Sequence, residues 1–84
     1  MHKDNRKNEL ELQLMHLHGP LIGGIELQKC LGFRSAASFR RAIRLKLIDL
    51  YVFEIPNRKG LFAVTTDVAN WLYEISESTT RNEK

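Results

Sequence analysis

Apolar positions recur along this chain with two different rhythms, and the change from one to the other predicts the order of its elements. In residues 25–31, Leu27, Cys30 and Leu31 fall at helical spacing and Gly32 follows, so a short helix closed by glycine is expected. Across residues 35–46 the same period returns. At about 100° per residue, Ala36, Phe39, Ala42 and Ile43 share one side of a helix, while Ala37, Arg40, Arg41 and Arg44 face away. Ser35 is placed to cap this helix, which runs out near Leu47. From residue 48 the character changes to β-branched and aromatic residues in 51–55 and again in 61–64, with Pro56, Asn57 and Gly60 between them. Two strands joined as a hairpin are the reading, with Arg58 and Lys59 at its tip. Thr65-Thr66-Asp67 then offers a helix start, and Val68, Trp71, Leu72 and Ile75 recur at helical spacing behind it.

The beginning of the chain is less decisive. Leu10, Leu12 and Leu14 alternate as in a strand, whereas Leu10, Leu14 and Leu17 fit one side of a helix. Good helix formers and no β-branched residues fill residues 9–15, which favours a short helix ended by Gly19-Pro20. Leu21-Ile22 follows as a short extended piece, and Gly23-Gly24 interrupts the chain before the next helix. The polar residues 1–8 are expected to be a flexible tail, 9–75 the folded domain, and 76–84 a second, disordered tail.

Eighty-four residues hold one small domain, and 43% apolar with 27% charged residues is the balance of a chain with an ordinary core. No apolar run reaches the length of a membrane span or a signal peptide, so a cytoplasmic protein is expected. Charge is distributed unevenly. Residues 33–60 carry seven cations (Arg34, Arg40, Arg41, Arg44, Lys46, Arg58 and Lys59) against Asp49 and Glu54, whereas the whole chain is only +3. A concentrated basic patch on a small domain is the electrostatic footprint of a polyanion partner, with a plain solvated surface as the competing explanation.

Other candidate chemistry is sparse. Cys30 has no second cysteine to pair with and sits among leucines, as a buried thiol would. His16 and His18 point about 200° apart on a helix, with no carboxylate or thiol at ligand spacing, so no metal and no cofactor is expected. Asp67 reads as a helix-start residue rather than an acid catalyst, and no nucleophile has a base beside it. An enzyme is not expected. Trp71, Phe39, Phe53 and Phe62 fall on the apolar sides of their elements and read as core, whereas Phe33 and Tyr51 lie at boundaries.

Arranged in order, these elements are a helix ending in Leu31-Gly32, a Ser-led helix rich in arginine, a hairpin with a basic tip, and Asp67-Val-Ala-Asn-Trp-Leu72 opening a last helix. That order, over residues 21–73, resembles the winged helix-turn-helix domains of the excisionase family and the related MerR-like regulators. Two features depart from the family pattern: Lys46 stands where the family often has glycine, and residues 9–18 add a leucine-rich segment before the first family helix. The resemblance implies an α+β winged helix-turn-helix fold with double-stranded DNA as partner. Its output would be that of an architectural recombination directionality factor beside a site-specific recombinase, or of a small transcriptional regulator, with assembly on DNA as a homodimer or cooperatively.

Arginine suits either reading of DNA, because its planar fork pairs with guanine edges and clamps phosphate equally well. Arg40, Arg41 and Arg44 are the candidates for the major groove, Arg41 and Arg44 above all. Arg34, Ser35 and Ser38 at the helix start and Lys46 at its end are candidates for backbone contacts, and Arg58 and Lys59 for the adjacent minor groove or its phosphates. The alternative is a protein-interaction module whose arginines dock an acidic partner, with the N-terminal leucines as a further contact surface.

Overall fold

The computed structural model describes residues 3–82, and within them the chain folds as a small α+β domain of four helices and a two-stranded antiparallel sheet. In order these are α1 (Lys3–His18), β1 (Leu21–Gly23), α2 (Gly24–Cys30), α3 (Ala36–Arg44), β2 (Phe62–Val64) and α4 (Thr65–Asn82). The strands pair with Leu21 opposite Val64, Ile22 opposite Ala63 and Gly23 opposite Phe62. Leu14, Ile22, Leu27, Leu31, Phe39, Ala63, Val68 and Ala69 form the core, so every element contributes at least one buried side chain to it.

The first and last helices pack on each other along their length. Leu10 and Leu14 turn inward as expected, but Leu17, expected on the same side, is exposed. Both helices also run beyond their expected limits. α1 begins at Lys3, inside the segment 1–8 expected to be a flexible tail, and α4 continues to Asn82, through most of 76–84. The cause is tertiary: Arg6 pairs with Glu77 at 2.9 Å and lies 5.8 Å from the Tyr73 ring, so polar residues of each helix find partners on the other. Residues 1, 2, 83 and 84 lie outside the described residues.

Both central helices end in the same device. After α2, Gly32 takes φ +90° while its N–H and that of Phe33 bond back to Lys29 and Gln28. After α3, Lys46 takes φ +59° and the N–H groups of Lys46 and Leu47 bond back to Ile43 and Ala42. This is the Schellman closure, whose left-handed position suits glycine and strains a residue with a Cβ. Lys46→Gly is therefore expected to raise stability by about 0.5–1 kcal/mol, read as a higher urea midpoint at unchanged slope. An equal or lower midpoint would show that Lys46 carries no such strain.

The hairpin expected from 51–55 and 61–64 is a correction. Residues 51–55 form no strand; Phe53 alone bridges to Phe62, through mutual N–H···O bonds of 2.9 and 2.8 Å. β2 makes its ladder with β1 on one edge, where Ile22 and Ala63 are almost completely buried, and on its other edge only Phe53 meets it. The turn itself is as expected. Pro56 and Asn57 hold its central positions, Asn57 at φ +67°, and Arg58 N–H closes it onto Ile55 at 3.0 Å. Thr65 also differs from expectation. Fully buried, it sends its hydroxyl to the Gly19 carbonyl and its N–H to Pro20 (2.9 Å), tying α4 to the turn after α1 rather than capping its own helix.

Candidate nucleic-acid interface

α3 is held by its apolar side. Phe39 and Ala42 are buried, Ile43 packs against the core, and the Phe39 ring meets that of Phe33 at 5.5 Å. Ala36, expected on this side, is exposed at its edge. The remaining arc is cationic. Arg40, Arg44 and Arg41 succeed one another across about 100° of the helix surface, all exposed. None of the three side chains makes an ion pair or hydrogen bond to another described residue.

The start of α3 is closed by its own serines. Ser38 N–H donates to Ser35 Oγ at 3.1 Å, and Ser38 Oγ–H donates back to the Ser35 carbonyl at 3.0 Å. The Ser35 hydroxyl is oriented towards Ser38 Oγ at 3.1 Å, so both side chains are engaged within the cap. By helix geometry the N–H groups of Ala36 and Ala37 point outward without an intrahelical acceptor, beside exposed Arg34. At the other end Lys46 is exposed beyond the last turn.

Arg40 is the arginine that connects α3 to the loop 56–60. It lines a groove of about 160 Å³ with Gly24, Ile25, Phe39, Gly60 and Leu61. In the loop, Lys59 is exposed and the Arg58 guanidinium lies 5.3 Å over the Phe62 ring. That stacking is absent from the sequence reading.

A second feature went unread. Asp49, Asp67 and Glu74 line a hollow of about 310 Å³ with Tyr51, Trp71 and Ile75, and no cation lines it. Asp67 and Glu74 stand seven residues apart on α4, a spacing that does put them on one side. Three of the chain's ten acids thus meet in one hollow.

Cys30 is half-buried rather than buried, and burial, reinforced by the Glu26 carboxylate one turn earlier, pushes its thiol pKa up. It therefore remains protonated and weakly nucleophilic at neutral pH. Among the described residues no three His, Cys, Asp or Glu side chains gather as metal ligands, and no helix is long and apolar enough to cross a membrane. Compared with known proteins, the chain matches no family model, no curated protein and no solved structure.

Proposed function

We propose that this chain is a small DNA-binding protein of winged helix-turn-helix kind, in which α2 and α3 form the helix pair and the loop 56–60 is the wing. α3 enters the major groove with Arg41 and Arg44 as base readers or close phosphate clamps. Arg40 and Lys46 flank them, and Arg34 and the outward N–H groups of the helix start meet the backbone. Arg58 and Lys59 reach the neighbouring minor groove or its phosphates. The observation that carries this reading is the arc of three exposed arginines without protein partners, on a helix whose opposite side is locked into the core. Within the reading, the output is recombination of excisionase type or local transcriptional regulation. Footprints on several adjacent sites indicate the former, and one palindromic site the latter.

Duplex binding through about five cationic side chains makes affinity steeply dependent on salt. The logarithm of the association constant is expected to fall against the logarithm of salt concentration with a slope of about −4 to −5. Fluorescence anisotropy on a labelled duplex measures it, and a slope near zero would remove DNA as the partner.

A further inference from the structure

The hollow that Asp49, Asp67 and Glu74 share has a stripe of α4 for one wall and the segment 49–51 for the other. At about 100° per residue, Asp67, Trp71 and Glu74 fall within about 60° of the helix surface, with Ile75 alongside them. Opposite this stripe, Tyr51 is 70% exposed and lies against the Phe53 ring at 5.3 Å, whose backbone is bonded to Phe62. Ile75 is 45% exposed. Aromatic and apolar surface therefore shares one hollow with three exposed carboxylates, and none of the three pairs with a cation among the described residues.

This combination selects the chemistry of an occupant. Carboxylates gathered in one place repel one another and any anion, and a cation entering among them relieves that repulsion. Asp67 and Glu74 stand about 10 Å apart along the helix axis, close enough for both to act on the same cation at physiological salt. A metal ion does not fit, since among the described residues no three acids converge as ligands. A flat organic cation does. The guanidinium of arginine stacks on tyrosine or tryptophan faces while its N–H groups reach carboxylates around it. At about 310 Å³ the hollow is at the small end of ligand sites, with room for one or two side chains. Free arginine would bring a fourth carboxylate among the three, whereas an arginine within a polypeptide brings none, and its apolar neighbour can rest on Ile75. We infer that this hollow docks an arginine side chain from an exposed segment of a partner protein, stacked between Tyr51 and Trp71 and ringed by Asp49, Asp67 and Glu74. The hollow shares no residue with the arginine arc of α3, so it stands independently of what that arc binds.

Titrating the full chain with the peptide Ac-Gly-Arg-Leu-Arg-Gly-NH2 tests this by NMR, because Trp71 is the only tryptophan and its indole N–H reports on the hollow. That signal is expected to shift saturably, with a Kd of ~0.1–1 mM at low salt. The same peptide with citrulline for both arginines keeps the shape without the charge and should bind at least ~10-fold more weakly, as should free arginine. Asp67→Asn with Glu74→Gln should also weaken the peptide by ~10-fold, with circular dichroism unchanged because both side chains are exposed. Arg41→Ala with Arg44→Ala should leave peptide affinity within ~2-fold, which separates this site from the α3 arc. No saturable shift by ~5 mM peptide would overturn the inference. So would equal binding of the citrulline peptide or of free arginine, or indifference to the carboxamide variant.

Discussion

Replacing Arg41 and Arg44 together by alanine is expected to weaken duplex binding by about 100-fold at moderate salt while leaving the fold intact. Each arginine fork that meets a base edge contributes about 1–3 kcal/mol, and two on one helix do not add fully. The salt slope should also become shallower by about 2, since two phosphate-neutralising charges are gone. Stability is not at risk. Both side chains are exposed, neither pairs with a described residue, and alanine is the better helix former. Lys7→Ala, which removes a cation from α1 instead, should leave affinity within a few-fold of the original. Anisotropy titrations on one duplex, alongside circular dichroism, decide the matter. Full affinity in a folded double variant would assign binding to another surface.

The second large effect concerns the core. Leu27 has no solvent exposure and sits among Leu14, Ile22, Leu31, Phe39, Ala63, Val68 and Ala69, on the helix that joins α3 to the sheet. Leu27→Ala removes three carbon atoms and leaves a void that its tightly packed neighbours can fill only in part. The expected cost is about 2–5 kcal/mol, set against a total of about 5–10 kcal/mol for a domain of this size. A drop of tens of degrees in the thermal midpoint, or outright unfolding at 37 °C, should follow. Leu12→Ala is the matched control, since the same atoms are removed from solvent-facing surface. A Leu27→Ala protein that melts with the wild type would contradict the packing described for α2.

What could be read from the sequence was what depends on neighbouring residues. α3 was legible because Phe39, Ala42 and Ile43 keep a helical period, Ser35 caps the start, and the arginines occupy the arc that remains. The end of α2 at Gly32 was legible for a similar reason, and so was the turn at Pro56-Asn57. What escaped depends on contacts between distant segments. Residues 3–8 are polar, and nothing near them signals a helix; the partners of Arg6, Tyr73 and Glu77, lie some seventy residues away. The segment 51–55 has the composition of a strand but makes only one bridge to β2, whose ladder is with the distant β1. The candidate site was legible as a set of residues rather than as an arrangement. The sequence could not report that Ser35 and Ser38 satisfy each other, that Arg58 lies on Phe62, or that Arg40 borders the loop.

The base of the loop 56–60 is fastened to the start of α2. Gly24 N–H bonds to the Leu61 carbonyl at 3.0 Å, and Gly60 comes so near that a Cβ there would stand 3.2 Å from the Gly24 Cα. The Phe62 ring lies flush against Gly23, where even a methyl group would overlap it, and carries Arg58 on its surface. The start of α2 and the basic loop are consequently a single preorganised body. The entropy lost in aligning them is spent when the chain folds, so a ligand that spans both has only side chains left to order.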